Sequence, residues 1–278
     1  MAPPIDSIPY SAQAAPGPPK RTAVRRITAG NIARRKGNPP FAVLTAYDAP
    51  FARCAEEAGI DVLLVGDSVG MVVLGYDSTT HVTLDDMLHH TAAVARGSSK
   101  AHIVSDLPFG TYQASDADAI RAATRMIQEG GATSVKLEGG VRAAARIKAI
   151  VGAGIPVMAH IGLLPQTAGL GPGYKLRGNR EALIADAQAV QDAGAYAVVL
   201  EVVDPHITGE ITKMLRIPTI GIGSGQDCDA QVLVMHDVLG LYAETPSFAK
   251  RYADIGDQTV KAIAQYAQDV QTKAFPTA

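Results

Sequence analysis

The sequence predicts a single α/β domain, a (β/α)8 TIM barrel in which eight parallel strands alternate with helices. The chain has 278 residues, and barrels of this kind typically occupy about 250. From residue 41 onward, short runs rich in Val, Ile and Leu alternate with helical runs, as in repeated βα units. A doubly wound open sheet is disfavoured because no Gly-x-Gly-x-x-Gly fingerprint follows the first strand. The eight strand candidates are 41–46, 61–66, 101–106, 133–138, 155–160, 195–200, 217–222 and 232–236.

The two ends of the chain differ from the barrel in composition. The first 19 residues contain six prolines and one acidic residue, which predicts a flexible extension. Basic residues follow, but the prolines would break the amphipathic helix of a transit peptide. We therefore expect residues 1–25 to be an extension and 26–278 to be the catalytic barrel. The Ala- and Gln-rich stretch from about 247 to 273 predicts a C-terminal helix.

Two of the helices between strands carry recognisable start signals. Thr83 and Ser115 are each followed three residues later by an aspartate, as in a capping box with Asp in place of Glu. Apolar side chains then recur at helical spacing from Leu84 and from Ile120. Each helix therefore has a stripe with which to pack against the barrel.

The composition favours a cytoplasmic enzyme that acts on small molecules. The chain is 47% hydrophobic and 19% charged, with a net charge of −2 and a pI near 6.4, so it lacks the basic surface that binds nucleic acid or anionic membranes. Its two cysteines, Cys54 and Cys228, are too few for a disulfide framework, and we interpret both as packing residues. Charged residues interrupt the apolar stretches before they reach the roughly 18 to 20 residues of a membrane span.

Polar residues stand at the ends of several predicted strands. The active site of a TIM barrel lies at the carboxyl ends of its strands, so these residues are the candidates for chemistry. Side chains alternate along a strand, and the two charged residues that end strand four therefore share a face. The candidates are Asp67, Ser68, Asp106, Lys136, Glu138, His160 and Glu201.

Three of these residues, Asp67, Asp106 and Glu138, are carboxylates at the ends of consecutive strands. They would repel one another unless protonated or neutralised by cations. A divalent metal ion resolves that repulsion, and all-oxygen ligation favours Mg2+, or Mn2+, over zinc. A 2-oxo acid can chelate such an ion, which then stabilises the enolate formed on loss of a neighbouring proton. Taken singly, each residue also has a structural interpretation, as a helix cap or as an ion pair between Lys136 and Glu138.

A proton acceptor is also needed for such chemistry. Glu201 is the candidate because it ends an apolar run, and a desolvated carboxylate is a stronger base. His160 either orients the substrate or satisfies a hydrogen bond in the core. His236 and Asp237 are expected to close strand eight and support the barrel.

Two glycine-rich segments complete the set of candidate features. Gly221–Gly225 follows strand seven, where many barrels bind phosphate, although its spacing is not specific. Gly169–Tyr174 is compatible with a loop that covers the site and equally with a plain long connection.

Six motifs, taken in order along the chain, resemble those of the ketopantoate hydroxymethyltransferase family. The similarity extends from about Arg26 to Ala274, and the set as a whole is highly specific. The motifs are Leu44-Thr-Ala-Tyr-Asp48, Val65-Gly-Asp-Ser-Val-Gly-Met-Val-Val-Leu-Gly-Tyr-Asp-Ser78, Val82-Thr-Leu-Asp-Asp86, Asp106-Leu-Pro-Phe-Gly110, Val135-Lys-Leu-Glu-Gly139 and Ile220-Gly-Ile-Gly-Ser-Gly225.

The resemblance implies a (β/α)8 barrel that moves a one-carbon unit from 5,10-methylenetetrahydrofolate to 3-methyl-2-oxobutanoate, giving 2-dehydropantoate for pantothenate synthesis. It implies one Mg2+ per subunit at Asp67, Asp106 and Glu138. It also implies substrate contacts from Ser68 and Lys136 beside the two aspartates, and Glu201 as the proton acceptor. A homo-oligomer, often a decamer, is a further implication of the family.

Two alternative functions are compatible with parts of the same pattern. A phosphoenolpyruvate mutase or isocitrate-lyase-like enzyme would also act on a metal-bound 2-oxo acid. Isocitrate-lyase-type cleavage uses a cysteine in a Lys-Lys-Cys-Gly-His-type loop, however, and both cysteines here lie in unlike contexts. A catalytically silent barrel that binds a 2-oxo acid or serves as a scaffold would have lost a carboxylate or the base, and this sequence keeps them all.

Overall fold

The protein is described by a computed structural model covering residues 25–170, 175–242 and 244–277. Eight strands form a closed barrel, each parallel to the next, and β8 pairs with β1. The predicted (β/α)8 fold class is therefore confirmed. The strands are β1 Phe41–Thr45, β2 Val62–Val65, β3 His102–Asp106, β4 Ser134–Glu138, β5 Val157–Gly162, β6 Ala197–Glu201, β7 Thr219–Ile222 and β8 Ala230–Leu233.

Helices surround the barrel and fill most connections between its strands. Thr83 caps α4 in a reciprocal capping box with Asp86, as predicted. Ser115 caps α5 by accepting from the Asp118 amide. The helices are α1 Ala29–Ala33, α2 Ala49–Glu57, α3 Val69–Val72, α4 Leu84–Gly97, α5 Asp116–Gln128, α6 Ala144–Gly152, α7 Pro165–Ala168, α8 Arg180–Asp192, α9 Pro205–Met214, α10 Met235–Leu239 and α11 Ile255–Thr272, with 3-10 turns at Thr79–His81 and Val141–Ala143.

The last βα unit departs from the prediction. Strand β8 is Ala230–Leu233 rather than 232–236, and residues 235–239 form the short helix α10. The Met235 amide donates to the Thr45 hydroxyl at 2.9 Å, which turns the chain out of the sheet. His236 and Asp237 therefore belong to a helix above the barrel and do not close the strand. Residues 223–229 connect β7 to β8 without a helix.

The C-terminal helix is shorter than predicted and stands apart from the core. It begins at Ile255 rather than near residue 247, and none of its side chains is buried. Several of its apolar side chains are exposed: Val260, Ile263, Tyr266 and Val270.

Two apolar layers hold the barrel together. Alternate strand residues such as Val135 and Leu137 face outward and pack with the helices. The opposite faces, with Val104 and Met158, fill the barrel interior, and Ile32 of α1 joins this inner layer. Lys136 and Glu138 share the inward-facing register, as the alternation predicted, so their charged groups lie inside the barrel mouth.

A buried polar network lies among the strands of the barrel. His102 Nε2 is 2.9 Å from both the Ser134 hydroxyl and the Tyr196 hydroxyl. His102 Nδ1 lies 3.1 Å from the Ile27 carbonyl oxygen. Burial lowers the pKa of His102 to about 4, so this histidine is neutral at physiological pH.

Several smaller predictions are also resolved. Cys228 is buried as expected, but Cys54 is exposed and is not a packing residue. No helix in the described ranges is long and apolar enough to cross a membrane. The predicted extension, residues 1–25, lies outside the described residues except for Arg25, and so does most of the 169–174 segment.

Candidate active site

A cavity of about 790 Å3 opens at the carboxyl ends of the strands. It is lined by every residue that the sequence singled out at those ends: Asp67, Ser68, Asp106, Lys136, Glu138, His160 and Glu201. Five separate strands or strand ends bring them together, because parallel strands of a closed barrel share one mouth.

At the cavity floor, Asp67, Asp106 and Lys136 form a buried charged cluster. The Asp67 amide donates to Asp106 Oδ2 at 3.1 Å. Lys136 Nζ lies 2.9 Å from Asp106 Oδ1, an ion-pair distance, although the two groups are not aligned as a hydrogen bond. The structural alternative, an ion pair between Lys136 and Glu138, is therefore replaced by one between Lys136 and Asp106.

Gln166 of α7 is a site residue that sequence reasoning missed. Its Nε2 donates to Asp67 Oδ2 at 2.7 Å and to the Leu107 carbonyl at 2.9 Å. Its backbone amide lies 3.2 Å from Glu138 Oε2, and its Oε1 accepts from the Tyr112 hydroxyl at 2.6 Å. One buried amide residue thus fixes two of the three candidate metal ligands.

His160 connects the charged cluster to Glu201. Lys136 Nζ lies 3.3 Å from His160 Nδ1, and an ammonium group can only donate, so Nδ1 is the accepting nitrogen. The other nitrogen, Nε2, then carries the proton and lies 3.2 Å from Glu201 Oε2, out of alignment for a strong hydrogen bond. His160 therefore lies between Lys136 and Glu201 in the cavity, and its role in orienting the substrate stays a prediction.

The backbone around Glu201 is strained and braced. Val202 has φ +50°, a conformation that costs a β-branched residue on the order of 1–3 kcal/mol. The Val202 amide donates to the Ile222 carbonyl at 2.9 Å. The Ser224 hydroxyl donates to the Leu200 carbonyl at 2.7 Å and accepts from the Val203 amide at 3.0 Å.

Gly162 and Ser224 hold the end of β6, where Glu201 lies, close to the neighbouring backbone. Gly162 has φ +94°, and a Cβ there would lie 2.4 Å from the Glu201 carbonyl oxygen. Ser224 belongs to the segment Gly221–Gly225, and its side-chain hydrogen bonds go to the protein itself. That segment therefore braces the candidate base.

Burial and mutual repulsion shift the acid–base properties of the cluster. Burial, with a contribution from Asp106, raises the pKa of Asp67 to about 7. Burial, with a contribution from Asp67, raises the pKa of Glu138 well above its ordinary value. Burial alone would lower the pKa of Lys136, but the carboxylates of Asp106, Glu138 and Asp67 raise it. The floor of the cavity therefore has an excess of carboxylates over cations.

Ser68 stands at the edge of this floor. Its hydroxyl lies 2.8 Å from the hydroxyl of Tyr47, and burial raises the pKa of that phenol. The Ser68 hydroxyl is thereby held beside Asp67, within the same cavity.

The donor set suits a hard cation, although the described residues form no closed metal cage. No three His, Cys, Asp or Glu side chains in those ranges converge tightly enough to hold a metal by themselves. Mg2+ commonly uses only one or two protein carboxylates and completes its octahedron with water or substrate oxygens. Asp67 and Asp106, with Glu138 beside them, match that requirement. A cation would offset both the burial and the repulsion from Asp106 that raise the pKa of Asp67.

This combination of a closed barrel and an acidic cavity at its mouth defines a barrel enzyme acting on small molecules. Solved structures share the fold at low sequence identity. A phosphoenolpyruvate phosphomutase from Streptomyces platensis subsp. rosaceus has a TM-score of 0.60 at 16% identity, covering 89% of this chain and 88% of that one. A phosphonopyruvate hydrolase crystallised with oxalate and Mg2+ has a TM-score of 0.58 at 14% identity, covering 91% and 93%.

The chain belongs to the ketopantoate hydroxymethyltransferase family, whose sequence model matches residues 26–278. The 3-methyl-2-oxobutanoate hydroxymethyltransferase of Carboxydothermus hydrogenoformans is 52% identical, over 90% of this chain and 93% of that protein. That of Ignicoccus hospitalis is 48% identical, over 91% and 98%. The resemblance drawn from the motifs is confirmed.

Proposed function

We propose that this protein is a cytoplasmic enzyme that transfers a one-carbon unit from 5,10-methylenetetrahydrofolate to 3-methyl-2-oxobutanoate, giving 2-dehydropantoate. Family membership over nearly the whole chain supports the reaction. The observation that carries the mechanism is the placement of Lys136, His160 and Glu201 in one cavity with three carboxylates.

We further propose that Asp67, Asp106 and Glu138 hold one Mg2+ per subunit. When bound, the ion would polarise the keto group of the 2-oxo acid and so acidify the neighbouring C3–H. Asp67 must lose its proton for the cation to bind, because only the carboxylate form is a ligand. The hydrogen bonds from Gln166 hold the Asp67 and Glu138 carboxyl groups in place when Asp67 loses its proton and the cation binds.

Lys136 and Ser68 are the proposed substrate contacts, together with Asp67 and Asp106. Lys136 is buried, and its raised pKa keeps it charged. A buried ammonium group at this point stabilises negative charge that develops on the substrate oxygens. The Ser68 hydroxyl is oriented by Tyr47 and can donate to the substrate carboxylate.

Glu201 is the proposed proton acceptor for C3 of the substrate. Its carboxylate lies at the end of β6, with about 15% of the side chain exposed, so it is largely shielded yet open to the cavity. His160 Nε2 lies 3.2 Å from Glu201 Oε2, and although the two are not aligned as a hydrogen bond, a proton on this nitrogen at that distance favours the ionised carboxylate. The strained, braced backbone at Val202 limits how far the carboxylate moves.

A homo-oligomer is also proposed, with a decamer implied by the family resemblance. The exposed apolar side chains of α11 support this proposal, because a helix that buries none of them in its own subunit leaves them for a second copy. Light scattering on the intact protein tests it. A monodisperse monomer at micromolar concentration would contradict the proposal.

The reaction itself is tested by product analysis. Protein incubated with Mg2+, 3-methyl-2-oxobutanoate and 5,10-methylenetetrahydrofolate is expected to form 2-dehydropantoate, detected by mass spectrometry, and excess chelator should abolish the product. The same preparation should not cleave isocitrate-like acids or rearrange phosphoenolpyruvate. Cleavage or rearrangement without folate-dependent product would instead support the mutase and lyase alternative.

A further inference from the structure

The cavity is much larger than the small substrate requires. Its volume of about 790 Å3 lies in the upper part of the range of roughly 300–1,000 Å3 found for drug-sized ligands. The 2-oxo acid is a small molecule, and the charged residues at the cavity floor are sufficient to bind it. A second, larger ligand therefore has room above it.

The outer part of the cavity, here called the outer chamber, is lined by apolar side chains from separate segments of the chain. Met71 and Phe248 remain 44% and 42% exposed while lining it. Phe248 packs on Gly223, where a Cβ would lie 2.9 Å from the ring, and Gly223 has φ +61°. The apolar lining consists of Met71, Val72, Leu233, Val234, Pro246 and Phe248. Such a chamber suits a flat, uncharged ring system, since aromatic and thioether groups pack against ring faces.

Apart from Asp67, Asp106, Lys136, Glu138 and Glu201, Asp237 is the one charged residue in the described cavity lining. It is 4% exposed. One of its oxygens, Oδ1, accepts from the Tyr242 hydroxyl at 2.7 Å. Its other oxygen has no hydrogen-bond partner within the described ranges. The backbone carbonyl of Tyr242 accepts from Arg251 at 2.8 Å, which holds the tyrosine in place.

The pterin ring of a folate has a hydrogen-bonding edge that a carboxylate beside an apolar chamber can bind. The 2-amino-4-oxo pyrimidine edge of a pterin presents two neighbouring N–H donors, N3–H and the 2-amino group. A carboxylate accepts both at once, and each of its oxygens has two lone pairs, so Oδ1 can keep its bond to Tyr242.

We propose that the outer chamber binds the pterin ring of the folate cosubstrate, with Asp237 accepting from the N3–H and 2-amino edge and with Met71 and Phe248 against the ring. This inference rests on the proposed function, because it assumes a folate donor. It assigns Asp237 a binding role in place of the supporting role expected from the sequence.

Asp237→Asn tests the assignment because Asn keeps the size and can still accept from Tyr242. Its amide group, however, places a donor against the donors of the pterin. The KM for 5,10-methylenetetrahydrofolate should rise roughly 10- to 100-fold, as expected when charge-assisted hydrogen bonds are replaced by an unpaired donor. The Kd of the 2-oxo acid should stay within about twofold. Asp257→Asn, on the exposed face of α11, is the matched control.

A direct binding measurement and a second variant make the outcome decisive. Calorimetry with tetrahydrofolate, in the presence of Mg2+ and the 2-oxo acid, should show the same loss for Asp237→Asn. Phe248→Ala, which removes a half-exposed ring, should weaken tetrahydrofolate binding without altering 2-oxo acid affinity. Wild-type tetrahydrofolate affinity in both variants would overturn the inference, as would equal loss of both ligands in Asp237→Asn. Absence of folate-dependent product in the wild type would instead contradict the proposed function.

Discussion

The Gln166 side-chain amide donates to Asp67 Oδ2 at 2.7 Å, and the Gln166 backbone amide lies 3.2 Å from Glu138 Oε2. A residue in the long connection between β5 and α8 therefore sets the position of two carboxylates, one just after β2 and one at the end of β4. Partners that hold a metal ligand in this way are worth about 10- to 100-fold in metal affinity, and Gln166 would act so at the proposed Mg2+ site.

Gln166→Met keeps the side-chain length but removes both polar groups. We expect Mg2+ affinity to fall roughly 10- to 100-fold. We expect stability to fall by about 1–3 kcal/mol, because the Tyr112 hydroxyl loses its 2.6 Å hydrogen bond and keeps only the longer one, 3.3 Å, to the Glu138 carbonyl. Calorimetry with Mg2+ and chemical denaturation measure the two effects. Gln128→Met, at an exposed helix end, is the control. Unchanged Mg2+ affinity would show that Gln166 has only a structural role.

Gly162→Ala tests whether the backbone at Glu201 must be held closely. The added Cβ would meet the Glu201 carbonyl at 2.4 Å in a residue with φ +94°. We expect a stability loss of at least roughly 1–3 kcal/mol and a fall in kcat that exceeds any change in 2-oxo acid Kd. Gly152→Ala is the matched control, because no neighbouring side chain would come within 4 Å of the added methyl group and its φ is not positive. Equal kcat in both variants would contradict the expectation.

Lys136→Met removes the one lysine at the cavity floor. The 2-oxo acid Kd is expected to rise by about 10-fold or more, and kcat to fall by roughly 10^2, if the ammonium group faces developing negative charge. Lys148→Met, on the exposed side of α6, provides the comparison. If kcat and Kd are both unchanged, the lysine is only the ion-pair partner of Asp106.

The buried His102 predicts a pH dependence of stability. The unfolded chain binds this proton below about pH 6.5, whereas the folded protein binds it only below about pH 4. The unfolded state therefore holds more protons between these values, and stability falls as the pH drops from 6.5 to 4, by on the order of 3 kcal/mol from this residue. Urea denaturation at pH 7 and pH 4.5 should show a smaller difference for His102→Gln than for the wild type. If the free energy of unfolding changes equally with pH in the two proteins, His102 does not contribute to the pH dependence of stability.

Much of the fold and of the site was accessible from sequence because both rest on short-range patterns. Alternation along β4 placed Lys136 and Glu138 on one face, and the shared mouth of a barrel brought Glu201 to them. Gln166 could not be found in this way, because an amide in a connecting loop has no pattern of its own. Its role depends on a contact with Asp67, 99 positions away in the chain.

Errors in the prediction have equally physical causes. The apolar run at 232–236 fits a strand. In the structure, however, the Met235 amide donates to the Thr45 hydroxyl, and the helix α10 begins at Met235. Asp237 was consequently assigned to the end of a strand, and its place in the cavity became visible only in three dimensions. Cys54 is exposed because it lies on the solvent-facing side of α2. The residue type alone does not show which side of a short helix faces solvent.

The central claim is that Glu201 removes the C3 proton of 3-methyl-2-oxobutanoate. The most direct measurement is proton NMR of that C3 signal in D2O, with Mg2+ present and without folate. Wild-type protein should exchange the proton for deuterium, and Glu201→Gln should slow the exchange by roughly 10^2- to 10^4-fold while calorimetry shows unchanged substrate binding. Exchange at the wild-type rate in Glu201→Gln would contradict the account and make His160 the next residue to test.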